Sequence, residues 1–138
     1  MTILNATELQ DILIAAFPGN EVPLVQEVNV DTVLVCQPIS DIHGRPGGTL
    51  SGPTMMMLAD TSAWVAILAQ IGPVLLAVTT SLHIDFLRKP QLADLMARAR
   101  VLKLGRKLAV VDVELFSKGS TDLVAKAQVT YSLPSSTD

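Results

Sequence analysis

Asp60 is the only Asp, Glu, Lys or Arg between Arg45 and Asp85, and it lies inside an apolar run, residues 54–71, whose composition reads as a helix. An ionised carboxylate carried into an apolar interior costs several kcal/mol unless it is paired, so its presence needs a cause. One cause is chemistry: such an acid can draw a proton from water as a general base, or attack an electrophilic carbonyl itself. The competing cause is structural, since a helix tolerates one acid at the boundary of its buried face when a hydroxyl such as Thr61 or Ser62 ties it.

The loop before this helix, residues 41–53, holds four glycines and two prolines and permits close approach of backbone to a ligand. Arg45 within it is suited to an anionic substrate group, to a pair with Asp60, or to anchoring the loop. Ser51 reads as a cap or turn hydroxyl, with substrate contact as the alternative. Trp64 and Met55 to Met57 fall at helical spacing, which favours core over ligand box, although methionines also shape adaptable pockets. His83 alternates with Ser81 and Asp85 on one strand face and reads as a hydrogen-bonded interface residue. Cys36 stands alone, and with His43 and His83 it gives no zinc-ligand spacing and no disulfide framework.

A chain of 138 residues fits one domain, 1–138, and a net charge of −3 with few, late-clustered basic residues argues against nucleic acid as partner. The N-terminal residues lack a basic segment followed by an apolar core, which with the single cysteine fits a cytoplasmic protein. A membrane span over residues 54–76 is disfavoured by the central Asp and the Gly72-Pro73 break, so no membrane partner is expected. Hydrophobic residues make up 49% of the chain, more than one small core hides, which predicts a homodimer or homotetramer.

Residues 1–20 supply an N-terminal helix, 6–17, beginning at Thr7 and ended by Pro18-Gly19. Residues 22–39 are extended and β-branched, a strand or bent pair. After the long helix, stopped at Gly72-Pro73, four segments alternate with period two. In the first, Thr79, Ser81 and His83 oppose Leu82, Ile84 and Phe86; only residues 133–138 look like a flexible tail. A helix apolar on nearly all sides followed by four strands predicts an α+β arrangement with a sheet curled around the helix.

Ser51-Gly-Pro-Thr-Met-Met-Met-Leu-Ala-Asp-Thr-Ser-Ala63, followed by Thr80-Ser-Leu-His-Ile-Asp-Phe-Leu-Arg-Lys-Pro90, resembles the phenylacetyl-CoA-thioesterase-like branch of the hotdog-fold acyl-CoA thioesterases. That pattern runs Asn, a Gly-rich loop, His-Gly-Gly, Leu-Ala-Asp or Leu-Ala-Glu on the central helix, and later Asp-Phe-Leu-Arg-Pro. The resemblance covers roughly residues 22–131 and implies the hotdog fold, an antiparallel curled sheet wrapped around a long central helix. Asp60 falls on the catalytic carboxylate and Gly52 on the first glycine of His-Gly-Gly. Ser51 stands in place of the His, Pro53 in place of the second Gly, and Arg45 in place of the Asn.

The resemblance implies hydrolysis of a small, medium-chain or aromatic acyl-CoA, with the thioester lying across a subunit interface and its carbonyl aimed at the N-terminus of the central helix. The Gly52 N–H is then the oxyanion donor, because Pro53 has none, and Asp60 the base or nucleophile. Arg45, Ser51, Thr54, Trp64 and Ser81 become substrate-binding candidates, and Arg88, Lys89, Arg106 and Lys107 candidates for the phosphates of CoA. No metal and no cofactor beyond substrate CoA is expected. The alternative is a non-catalytic hotdog module that binds acyl-CoA or a related ligand.

Overall fold

The computed structural model describes residues 2–45 and 48–135; the side chains of Asp41 and Arg45 lie outside the described set. In chain order the elements are helix α1 (Ala6–Ala16), strands β1 (Leu24–Val28) and β2 (Thr32–Gln37), and a 3-10 turn at Asp41–His43. A short hairpin of β3 (Gly44–Arg45) and β4 (Thr49–Leu50) leads into helix α2 (Gly52–Ile71). Strands β5 (Val78–Phe86), β6 (Leu95–Leu104), β7 (Leu108–Ser117) and β8 (Leu123–Ser132) complete the fold. The six long strands form one antiparallel sheet in the order β1-β2-β6-β7-β8-β5, and α2 packs against five of them. The expected sheet around a central helix is present.

The ends of α2 are set locally. Ser51 caps its start, with Oγ accepting from the Thr54 N–H at 3.2 Å, and Pro53 occupies the first turn, where an N–H would have no intrahelical partner. Gly72 ends it with a φ of 92°, a conformation that favours glycine. Every residue from Ser62 to Ala69 is buried, so the second half of α2 has no solvent face. The sheet covers one side with a row of small and branched residues, Ala97 and Ala99 on β6, Val111 and Val113 on β7, Ala125, Ala127 and Val129 on β8. Alanines on β6 and β8 let the helix axis approach closely. Leu9 and Leu13 of α1 join the same core, and the Ile3 N–H donates to the Ala69 carbonyl at 2.6 Å. Although α2 is long and apolar enough to cross a membrane, most of that stretch is buried inside the protein.

Four local expectations are corrected. Helix α1 begins at Ala6 with Asn5 as its cap, not Thr7, because Asn5 and Glu8 exchange side-chain-to-backbone bonds at 2.9 and 3.1 Å. Of the three methionines only Met55 is core; Met56 and Met57 are exposed, since the first turns of α2 extend past the sheet's cover. Leu133 is tied rather than free, donating to the Lys107 carbonyl at 2.7 Å and packing on the core; of the predicted tail, 136–138 lie outside the described residues.

The fourth correction concerns β5. A bulge between Thr79 and Ser81 breaks the two-residue alternation, so Thr79 lies opposite buried Tyr131 while Ser81 lies opposite Thr130 on the outer face. Thr79 and Ser81 therefore do not share a face. That outer face carries exposed charges, including Lys126 with Asp112 at 3.4 Å and Arg100 with Asp31 at 2.9 Å. Pairs in that setting add little stability.

Ile67, 0% exposed, lies in the wholly buried second half of α2. Replacing it with Ala should cost about 2–5 kcal/mol by denaturant unfolding, the range for truncating a buried aliphatic side chain. A loss below about 1 kcal/mol would show that this half of α2 is not the core.

Candidate active site

Asp60 is half-buried at the edge of the α2 core, and its Oδ1 is held by two hydroxyls. Thr79 Oγ1 on β5 donates to it at 2.7 Å and the Tyr131 hydroxyl on β8 at 2.9 Å. Tyr131 also lies 3.0 Å from the Asp60 main-chain oxygen, and its one proton serves either acceptor. Oδ2 has no donor among the described residues. The acid is thus neither sealed in the interior nor tied to its helix neighbours Thr61 and Ser62, since the bulge delivers Thr79 and the strand register delivers Tyr131. A cavity of about 510 Å³ opens here, walled by Phe17, Asp60, Trp64, Leu75, Val78 and Tyr131 among others. Trp64 is buried and meets Phe17 edge-on at 6.1 Å, and its indole N–H has no acceptor among the described residues.

Sequence reasoning named neither Thr79 nor Tyr131 as a site residue. The available signal was Tyr131 itself, a phenol at an inward position of an otherwise Val and Ala strand. A buried Tyr hydroxyl requires a polar partner, and Asp60 is the acid the sequence places in the core.

A second cavity, of about 640 Å³, lies at the N-terminus of α2 and is lined by Gly52, Met55, Phe86, Arg88 and Lys89 among others. Of the first-turn donors, Pro53 has no N–H, the Thr54 N–H bonds Ser51 Oγ and the Met55 N–H bonds the Ser51 carbonyl at 3.3 Å. Only the Gly52 N–H remains without an acceptor among the described residues, and it sits at the positive end of the helix dipole. Ser51 and Thr54 turn their hydroxyls to one another at 2.8 Å, so both act in the cap. A β-carbon on Gly52 would meet Phe86 at 3.5 Å, an ordinary contact.

The two cavities belong to opposite ends of β5. Arg88 and Lys89 share the Gly52 end, with Arg88 Nη1 donating to the Leu123 carbonyl at 2.7 Å. Arg106 and Lys107 precede Leu108, which pairs with Ser132, itself paired with Val78 at the Asp60 end. The structure therefore splits the four basic residues into two pairs. Ser81 is exposed on the outer face and does not reach Asp60; the Arg45 side chain lies outside the described residues.

Burial, together with the neighbouring Asp60 carboxylate to which it donates, pushes the Tyr131 phenol far above its ordinary value of 10.0, against a smaller opposing effect of Thr79. Tyr131 hence remains a donor at any working pH. Above pH 10 the unfolded chain releases this proton and the folded chain keeps it, so stability should fall as pH rises beyond that point. Tyr131→Phe should flatten this alkaline slope in denaturant titrations; an unchanged slope would place the loss in other groups.

The sequence profile of the thioesterase superfamily matches residues 47–130. A provisionally assigned thioesterase from Silicibacter sp. TM1040 superposes with a TM-score of 0.88 at 40% identity, covering 97% of this chain and 94% of its own. Thioesterase superfamily member 2 from zebra fish gives 0.83 at 24% identity, covering 96% and 100%. A thioesterase from Haemophilus influenzae gives 0.81 at 18%, covering 96% and 92%; these last two show shared fold. No curated protein matches the chain. With its sheet curled around α2 and a profile match spanning Gly52, Asp60 and Thr79, the chain has the hotdog fold and belongs to the thioesterase superfamily.

Proposed function

We propose that the protein hydrolyses the thioester of a small, medium-chain or aromatic acyl-CoA, at a site completed by a second copy of the chain. The observation that carries this reading is the Asp60 carboxylate: one oxygen pinned by two hydroxyls, the other free, at the wall of a largely apolar cavity. A pinned carboxylate is oriented without being neutralised, which suits a base or a nucleophile.

Two copies are needed for a geometric reason. Gly52 and Asp60 are eight residues apart on α2, a rise of about 12 Å along the axis. Attack requires the reacting atoms within about 3.5 Å and the oxyanion donor within about 3 Å, so one thioester cannot meet both groups of one chain. Edge strand β5 has no partner on its outer side, and it exposes Val78 and Phe86 at its two ends. A second copy pairing antiparallel along this edge, as two-fold symmetry requires, sets the Gly52 end of one chain beside the Asp60 end of the other. It also brings Arg88 and Lys89 of one copy near Arg106 and Lys107 of its mate, a basic setting for the phosphates of CoA.

In this site Asp60 takes a proton from water as the water oxygen adds to the thioester carbon, or Asp60 adds directly to form an acyl-enzyme anhydride that water then cleaves. In both routes the carbonyl electrons move onto oxygen at the Gly52 N–H and return as the C–S bond breaks; the thiolate takes the proton held by Asp60 in the first route and a proton from solvent in the second. The resemblance to the phenylacetyl-CoA-thioesterase-like branch supports the aromatic end of the substrate range. The second reading, a binding module without turnover, is favoured by Ser51 and Pro53, which leave a single free donor at the helix start.

Asp60→Asn keeps an Oδ1 acceptor for Thr79 and Tyr131, so it should fold within about 1 kcal/mol of wild type. On a panel of acyl-CoA esters read by a thiol reagent it should lose at least about 100-fold in turnover. Wild-type silence across the whole panel would favour the binding module, and an active Asp60→Asn would remove this acid from the mechanism.

Sedimentation at micromolar concentration should show a dimer or a dimer of dimers. A stable monomer that turns over substrate would contradict the shared site.

A further inference from the structure

A third cavity, of about 390 Å³, lies between the end of α1, the start of β1, the 3-10 turn and the first half of α2. It shares two wall residues, Phe17 and Thr61, with the Asp60 cavity, so the two spaces adjoin across them. Its walls are largely apolar, including Val22, Met57 and Leu58, and one polar side chain in them is unusual. His43 is 7% exposed. Its Nδ1 accepts the Ser40 backbone N–H at 2.9 Å, with Ser40 Oγ at 3.3 Å. A backbone N–H can only donate, so Nδ1 carries no proton and the neutral ring bears its hydrogen on Nε2. That Nε2–H has no acceptor among the described residues. This donor, without a protein acceptor among the described residues and in a largely apolar wall, is open to a partner from outside the chain.

We propose that this cavity is the distal part of the acyl site, and that it receives the far end of an acyl chain bearing a neutral hydrogen-bond acceptor, such as a hydroxyl or carbonyl oxygen, against His43 Nε2–H. The proposal rests on the thioesterase reading, because the chain enters from the Asp60 cavity past Phe17 and Thr61. Glu21 contributes a carboxylate to the lining, which disfavours a terminal carboxylate on the chain. Phe17, the C-cap residue of α1, stands between the two spaces and sets how readily a chain passes.

The test measures binding without turnover, using calorimetry of the full chain with non-hydrolysable thioether analogues of acyl-CoA, straight-chain and ω-hydroxy at matched length. Wild type should prefer the ω-hydroxy analogue. In His43→Asn the amide oxygen replaces Nδ1 for Ser40 while the distal donor is lost, and the preference should shrink by about 3- to 10-fold, the scale of one neutral hydrogen bond. Analogues that bind with no end-group preference, or with one that His43→Asn leaves intact, overturn the inference while the thioesterase reading stands. Absence of binding by any analogue overturns both. Should His43→Asn fail to fold, Met57→Trp, at an exposed position on the cavity rim, tests the same space. It should weaken long analogues relative to short ones; an unchanged ratio, or a change of assembly state in its place, shows that the cavity serves something other than the acyl chain.

Discussion

The requirement to cover α2 on every side governs this molecule. A helix of 20 residues with Ser62 to Ala69 wholly buried cannot rest on a flat surface, and the sheet answers by wrapping five strands around it while α1 closes the remaining side. The inward alanines of β6 and β8 follow from the same demand, because larger side chains would hold the helix off the sheet. Where α2 emerges, along its first half, cavities open at its N-terminus and beside Asp60.

Those two places differ in chemistry: one is the positive end of the helix dipole, the other carries a carboxylate. At the start, Ser51 and Pro53 remove all but one of the free first-turn donors and leave the Gly52 N–H directed outward. Farther along, at the edge of the buried face, Asp60 is fixed by hydroxyls from two strands that are neighbours in the sheet but separated by about fifty residues in sequence. A donor for negative charge and a carboxylate that can attack or activate are both present. A rigid helix holds them too far apart to act within one chain, and that separation turns an exposed β5 edge from a liability into the element on which the proposed site depends.

The bulge in β5 shows how one inserted residue redistributes function. Without it Thr79 would share the outer face with His83 and Asp85, which pair at 3.1 Å in solvent. With it Thr79 turns inward to Asp60 and Ser81 takes the outer position. No periodicity argument could place that residue, because a bulge is a departure from period two whose site depends on how β5 must bend to follow β8.

Read alone, the sequence determined the sheet-and-helix architecture, the limits of α2 at Ser51 and Gly72, and the isolation of Asp60 as the one charge in an apolar helix, because each depends on local composition: an apolar run, a capping hydroxyl, a helix-ending glycine, one misplaced charge. The motif from Ser51 to Ala63 pointed to a hotdog-fold thioesterase, and membership of the thioesterase superfamily is what the profile and structural similarities then showed. Tertiary structure alone decided which hydroxyls hold Asp60, that Ser51 and Thr54 satisfy each other, that Met56 and Met57 are exposed, and that Arg88 and Lys89 sit at the opposite end from Arg106 and Lys107. These are long-range facts. Strand register and helix crossing set them, and neither is written in the spacing of residues along the chain.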